Sequence, residues 1–375
     1  MENAQVVNDQ WEYVLSLLPE DLEASAIAKL AIRRRRAITT ASDLLRLALG
    51  YSVCDLSLRQ TAAWAEVSGL GHLSDVAVLK RLRGAGDWLA HVVVRCLQER
   101  GVAVGRTSRR VRVVDATVVS RPGSRGTDWR LHLGLDLEAG RISSFELTGV
   151  EGGETLRRCA LDRDEVVLAD RAYSTVPGVA SVLNRRGHIV VRLHWRVFPL
   201  LSTSGKPLDV DAALQTLAPG EVADWPVCFR HERRSYRMRL IAMRKSAAAT
   251  EREQLKVRHE ASRKGRPVTA HSLQAAGFIV VLTDLPQDLV PAPEILELYR
   301  LRWQIEIAFK RLKSLLDLDR LRAKDPALAR TYLYGKLLAA VLLDDLCERL
   351  PAFSPWGFSL LPQTRQSLAI AAALD

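Results

Sequence analysis

No CxxC pair occurs in the 375 residues, and the five cysteines, Cys54, Cys96, Cys159, Cys228 and Cys347, are widely separated. An odd, scattered set argues against a disulfide framework and against structural zinc. It reads as free thiols in a reducing compartment. Long apolar runs are missing too: stretches such as Leu337–Leu343 fall far short of the ~20 residues that a spanning helix needs. The opening Met1-Glu2-Asn3-Ala4 lacks a basic segment followed by an apolar one, so a soluble cytoplasmic protein with no membrane partner is expected. No internal repeat or low-complexity tract is evident. The composition, 48% hydrophobic and 26% charged, is that of a globular chain, and the length suggests two or three domains at ~150 residues each. Acidic residues are the minority, 43 against 54 Lys and Arg, which leaves a net charge of +11. A surplus of that size points to a polyanionic partner, with nucleic acid ahead of a membrane surface.

From Trp11 to about Arg100 apolar residues recur at helical spacing, through Leu22, Ile27 and Leu30 and again through Leu44, Leu45 and Leu47. Ser42-Asp43 is placed to cap the second of these helices. Between them stand Arg33, Arg34, Arg35 and Arg36, readable as a solvated helix face or as phosphate contacts. Leu58–Ala65, a Gly69-containing break and the basic run Ser74–Leu82 fit a helix-turn-helix, although ordinary helical hairpins share the pattern.

The texture changes near Val104. Val111–Val119 is β-branched and apolar, so it reads as a buried strand, interrupted by Asp115. Strands follow at Trp129–Leu137 and, after a Glu138–Arg141 turn, at Ile142–Val150. A short helix is expected around Glu154–Leu161, then a strand Val166–Ala169 ending at Asp170, a helix Val176–Asn184 and a strand Ile189–Leu193. Three strands, helix, strand, helix, strand is the order of the ribonuclease-H-like fold. Beyond Trp195 the pattern becomes turn-rich, with strands at Val222–Arg230 and Tyr236–Arg244 and a basic polar stretch Ala247–Thr269. The apolar strand Gly277–Thr283 then returns the chain to the core. The chain thus divides into a helical N-terminal DNA-binding domain (1–104), the first part of an α/β core (105–194) and a β-rich insertion (195–276). The second part of the core (277–322) and a helical C-terminal segment (323–375) complete it.

One long helix is expected from Pro293 to Leu318. Leu298, Leu301, Ile305, Ala308, Phe309, Leu312 and Leu316 share one stripe, and Tyr299, Arg302, Glu306, Lys310 and Lys313 an adjacent one. Alone, that second stripe is readable as a solvated face laced with Glu–Lys pairs. Asp115 and Asp170 change the weighting, because an unpartnered carboxylate in a buried strand costs several kcal/mol or changes its protonation. Two strand aspartates and a Glu from a packed helix make an oxygen-rich site for Mg²⁺ or Mn²⁺, and two such ions can bridge a phosphodiester. The cations beside Glu306 suit the phosphates of a bound strand. On that geometry Lys310, one turn past Glu306, joins the DNA contacts.

Tyr299, Arg302, Glu306 and Lys313 match the pattern Y-(2)-R-(3)-E-(6)-K, which resembles the signature of bacterial insertion-sequence DDE transposases of the IS-four family. Val113-Val114-Asp115-Ala116-Thr117 is similar to that family's first-Asp strand, Ala169-Asp170-Arg171-Ala172-Tyr173 to its second-Asp motif, and Thr283-Asp284-Leu285-Pro286 to the segment before its Glu helix. The resemblance covers roughly Val111 to Arg322. The family also places a β-rich insertion between its second Asp and its Glu. The resemblance implies a ribonuclease-H-like core, with Asp115, Asp170 and Glu306 as catalytic metal ligands for Mg²⁺ (or Mn²⁺). It implies Tyr299, Arg302 and Lys313 as contacts to transposon-end DNA. The activity implied is cleavage at element ends followed by joining of 3′-hydroxyls to target DNA, by a nucleoid-associated protein that acts as a homodimer on paired ends. A catalytically inactive DNA-binding protein and a nuclease without strand transfer are the alternatives. Some relatives stack a flipped base on an aromatic residue of the insertion; Trp195 and Trp225 are candidates, with core packing the plainer reading for both.

Overall fold

A computed structural model describes residues 11–100, 110–124 and 126–349. The boundary expected near 104 and the end of the C-terminal segment therefore lie outside the described residues. The N-terminal part is helical, with α1 (Leu22–Ala28), α2 (Ala41–Val53), α3 (Leu58–Val67) and α4 (Asp75–Arg100). The α2 cap is Thr40, not Ser42-Asp43: Asp43 N–H donates to Thr40 Oγ1 while the Asp43 carboxylate accepts from Thr40 N–H. Ser57 and Gln60 form the same reciprocal box at α3. These boxes satisfy amides that a helix start leaves unpaired. Arg33–Arg36 are exposed and lie in the irregular link between α1 and α2, not on a helix face. Arg35 is tied to Glu23 at 2.6 Å.

The rest of the chain is built on one nine-stranded sheet in the order β3-β2-β1-β4-β5-β9-β8-β7-β6. β1 (Val111–Val119), β2 (Trp129–Asp136) and β3 (Arg141–Thr148) are antiparallel neighbours. β4 (Val166–Ala169) and β5 (His188–Arg192) run parallel to β1 and are joined by α5 (Val176–Asn184). The helix expected around Glu154–Leu161 is only a 3₁₀ turn, Leu156–Arg158, capped by Thr155.

The segment expected as an inserted subdomain extends the same sheet. β6 (Leu201–Ser202), α6 (Val210–Gln215), β7 (Val222–His231) and β8 (Arg234–Arg244) are followed by two helices, α7 (Ala247–Arg263) and α8 (Ala270–Ala275). β8 pairs with β9 (Phe278–Thr283), and β9 pairs with β5. The extension is possible because β8 buries Met238, Leu240, Ile241 and Ala242, and the one cation among them, Arg239, is paired with Asp224 and bonded to Leu285 O and Val290 O. Asp284 locks the junction: it accepts from the Ile189 amide and pairs with His188 Nδ1, both at 2.8 Å.

The expected long helix is divided into α9 (Ala292–Arg300) and α10 (Trp303–Leu316). At the join, Arg302 N–H bonds to Tyr299 O and Ile305 N–H to Arg302 O. This is a tightened 3₁₀ turn in a run that contains no glycine or proline, so no local signal marks it. The last helix, α11 (Pro326–Arg349), packs against α2 and α4. Alternation along the strands splits the core. Val113, Leu168 and Val190 face a cluster that contains Ile305, Phe309, Trp88, Leu337 and the N-terminal helices; Val114, Ala169 and Val191 face a second cluster with α5 and α6. The N-terminal helices thus share a continuous core with one sheet face.

A polar knot ties the helical layer to the end of α10. The Lys336 amine is buried, donates to Leu316 O, lies 3.4 Å from Asp55 Oδ1 and sits 4.6 Å from the centre of the Tyr332 ring. A cation there complements the C-terminal end of the helix dipole.

Where α2 crosses α11, a Cβ on Gly335 would meet Ser52 Oγ at 2.3 Å and Ser52 Cβ at 2.7 Å. Gly335→Ala is therefore expected to lower stability by about 1–3 kcal/mol. Gly84 of α4 has nothing within 4 Å of an added Cβ, so Gly84→Ala is expected to be neutral or to add about 0.5–1 kcal/mol. Denaturant titration of both variants checks the pair, and equal effects would contradict the crossing.

Candidate active site

β1 and β4 are paired in parallel with Val114 opposite Ala169, and β4 and β5 with Ala169 opposite Val191. The next residue on each strand is Asp115, Asp170 and Arg192. Because side chains alternate, these three stand side by side on the face that carries Val113, Leu168 and Val190: Asp115 midway along β1, Asp170 just past the end of β4 and Arg192 at the end of β5. α10 packs on the same face over β1 and β2, burying Ile305, Phe309 and Leu312 and bringing Glu306 to the same edge.

Asp115 accepts from its neighbouring amide, Ala116 N–H, at 2.8 Å, and its side chain is 19% exposed. Burial pushes its carboxyl up to about 6; the Ala116 amide opposes this, Asp170 adds to it and Arg302 opposes it. Asp170 caps the following 3₁₀ turn, Arg171–Tyr173, accepting from Ala172 N–H at 2.7 Å. Arg302 lies between two of the acids. Its Nη2 donates to Glu306 Oε1 at 2.5 Å, and its Nη1 is 4.0 Å from Asp115 Oδ2. Burial alone would lower Arg302, but its bond to Glu306 and the nearness of Tyr299 and Asp115 carry it above its usual value. Burial pushes the Tyr299 phenol up, and the nearby Arg302 and Arg192 oppose it.

The structure gathers Asp115, Asp170, Tyr299, Arg302 and Glu306 into one neighbourhood, with Glu306 joined through an arginine. Among the described residues no three His, Cys, Asp or Glu side chains are grouped closely enough to hold an ion. Beyond Glu306 an open groove of about 760 Å³ is lined by Thr117, Lys310, Lys313, Ser314, Asp317 and Arg320, among others. Arg33–Arg36 lie in the helical layer. Trp195 is half-buried, its indole N–H donating to Asp211 Oδ1 at 2.9 Å and its ring meeting the edge of His271. Trp225 is packed against the second core cluster.

Three neighbours were not anticipated. Arg192 ends an apolar strand one residue earlier than expected, which was its only mark in the sequence. Glu154 lies within electrostatic reach of Asp115 and Asp170; its carboxyl is raised by burial and lowered by Arg130. Tyr173 is buried beside Asp115 and Glu154, which pushes its phenol up. Glu154 lay in a segment expected to be a short helix, and Tyr173 stood in the motif around Asp170 without a role of its own.

Comparison with known proteins follows the same lines. Residues 106–342 match the family model described as Transposase DDE domain. The putative transposase InsL of insertion element IS186A from Escherichia coli (strain K12) is 40% identical over 357 residues, covering 93% of this chain and 96% of that protein. The transposase of insertion element IS421 from Escherichia coli is 39% identical, with the same coverage. The transposase of IS231F from Bacillus thuringiensis subsp. israelensis is 26% identical, covering 88% of this chain and 77% of its own length. A piggyBac transposase in a synaptic complex with hairpin DNA aligns at a TM-score of 0.48 and 9% identity, covering 96% of this chain and 77% of that one, a likeness too slight to bear on fold or function. With more than half its length in the family model and near-complete alignment to insertion-element transposases, this chain belongs to the DDE transposases of bacterial insertion sequences.

Proposed function

We propose that the protein cuts DNA at the ends of an insertion sequence and joins the freed 3′-hydroxyls to target DNA, on a ribonuclease-H-like core. The observation that carries this reading is the row of Asp115 and Asp170 at one level of two parallel strands, with Glu306 delivered over them by α10. In the first step water attacks the end phosphodiester; a P–O bond forms, the bond to the 3′ oxygen breaks, and that oxygen takes up a proton. In the second step the new 3′-hydroxyl attacks a target phosphodiester. Its proton is lost, O3′–P forms, and the target's own 3′ oxygen leaves and is protonated, so no energy-rich co-reactant is needed.

The donor set is of the kind that takes a hard divalent cation: three carboxylates, with the Asp170 charge adding to the burial that raises Asp115. Bound there, Mg²⁺ or Mn²⁺ supplies activation of the attacking oxygen and stabilisation of the leaving one. Asp115, Asp170 and Glu306 would hold it, which would require Arg302 to release Glu306. The exchange suits Arg302, since a guanidinium that can pair with a carboxylate pairs equally well with a phosphate. Lys310 and Lys313 hold the strand along the groove, Tyr299 packs beside it, and Arg33–Arg36 add phosphate contacts from the helical layer. Two ends demand two active sites, so the working form on DNA is a homodimer.

Asp115→Asn should abolish metal-dependent nicking of end DNA while leaving end binding intact in a gel-shift assay. Because the Asp115 carboxyl is raised from 3.8 to about 6, its ionised form is disfavoured in the fold. The associated stability is present at low pH and is lost as pH rises through about 6. Asp115→Asn should therefore raise stability at pH 8 by about 1–3 kcal/mol, read by denaturant titration; a destabilised variant would contradict the burial argument.

The same shift sets the pH dependence of nicking. Protonation competes with metal ligation, so below about pH 6 the half-saturating Mg²⁺ concentration should rise about tenfold per pH unit. A half-saturating value flat from pH 5 to 8 would remove Asp115 from the metal site. Lys313→Ala should slow single-turnover nicking of saturated complex through misplacement of the phosphate, whereas Arg34→Ala should weaken binding only. Identical defects would reduce Lys313 to a plain anchor.

A further inference from the structure

α7 is a helix that the fold does not need for its core. None of its seventeen residues, Ala247–Arg263, is buried, and it is held at the side by Gln254, whose Nε2 donates to Leu273 O at 3.1 Å. A helix gains most of its stability from packing an apolar face, so one retained at the surface needs another reason. Its charge supplies one. From 247 to 266 the chain carries Arg252, Lys256, Arg258, Arg263, Lys264 and Arg266 against three glutamates. Lys256 and Lys264 are paired with Glu253 and Glu260. The four arginines are exposed and form no ion pair among the described residues.

The position of α7 follows from the sheet. β5 and β9 are antiparallel, with Arg192 opposite Val281, so the carboxyl end of β5 lies beside the start of β9. β8 ends at that same edge, opposite Phe278, and Lys245 there bonds to Gly277 before α7 begins. α7 therefore stands at the catalytic edge of the sheet. Consistent with this, Glu253 lies within electrostatic reach of Arg192, and Glu260 of Arg171, the residue after Asp170. Across the sheet the order is the Lys310–Lys313 groove over β1, then Asp115 and Asp170, then Arg192, then α7. The acids separate two cationic tracks.

We propose that α7 is the track for target DNA. This rests on the function proposed above: strand transfer brings a second duplex to the acids, and the Lys310–Lys313 side is already filled by the end strand. Flexible, exposed arginines read phosphates without reading bases, which suits a partner of arbitrary sequence. A sequence-tolerant track also matches the rest of α7, where His259 is the one aromatic ring and no Phe, Tyr or Trp stands among the cations.

The test uses the full chain with Arg258→Gln, Arg263→Gln and Arg266→Gln combined. These are exposed side chains whose loss leaves no buried group unpaired. Two reactions are compared at ~150 mM salt: Mg²⁺-dependent nicking of end DNA, and joining of a pre-cut end bearing a 3′-hydroxyl to supercoiled plasmid. Joining should fall at least about tenfold while nicking stays within about twofold. The log–log salt slope for capture of random-sequence duplex by the end-bound complex should flatten by about 2.7, at about 0.9 for each of the three lost contacts. Equal loss of nicking and joining would place α7 on the end DNA and overturn the proposal, as would no change in joining. If the unaltered protein does not nick with Mg²⁺, the proposed function fails by itself. The duplex-capture slope then still decides whether α7 touches DNA, and an unchanged slope sinks the track.

Discussion

Asp115 and Asp170 are held at one level of neighbouring parallel strands, where two negative charges repel. The strand registers hold them there, because a slip of one residue would turn Val113 and Leu168 out of one core and Val114 and Ala169 out of the other. Burial on both faces thus supplies the energy that opposes the repulsion. What remains of it is answered by cations set around the pair: Arg192 on the next strand and Arg302 from the turn between α9 and α10. Arg302 lies between Asp115 and Glu306 and is bonded to Glu306, so under the proposed function it occupies the third acid until substrate arrives. On this account a phosphate draws off the guanidinium, and acids and substrate assemble together.

The supports of this arrangement reach far from the acids. α10 is pinned on the sheet by Ile305, Phe309 and Leu312, and its C-terminal carbonyls are held by Lys336. Lys336 is in turn beside Asp55 at the end of the α2 region, and Tyr332 donates to the same carboxylate at 2.5 Å. The helical layer that carries Arg33–Arg36 is thereby in mechanical contact with the helix that carries Glu306. A DNA end grasped by that layer would be placed relative to the acids by a packed core and a buried polar knot.

Much of the candidate site was legible in the sequence because its parts break a local rule. Asp115 interrupts an apolar strand, Asp170 ends one, and Glu306 repeats with Tyr299, Arg302 and Lys313 at fixed spacing. Strand positions from Val111 to Arg192 were also legible, since β-branched runs carry a strong pattern. What stayed hidden depended on register or on tertiary contact. Arg192 has no meaning until β5 is aligned with β4. Glu154 sits in a loop whose path periodicity does not describe. The tightened turn at Arg302 contains no breaker residue. The pairing of β8 with β9 merges an expected insertion into the main sheet, through contacts between segments some forty residues apart. The arginine cluster at 33–36 was visible, but its place in a link instead of a helix was set by the caps at Thr40 and Asp43.

The most direct test of the account is a crystal structure of the protein with a pre-cut end duplex and Mn²⁺, read by anomalous scattering. A peak bound by carboxylate oxygens of Asp115 and Asp170 at about 2.0–2.3 Å, with Glu306 turned in and Arg302 moved onto a phosphate, is the predicted result. Mn²⁺ absent from these acids, with Arg302 still bonded to Glu306 beside bound DNA, would contradict it.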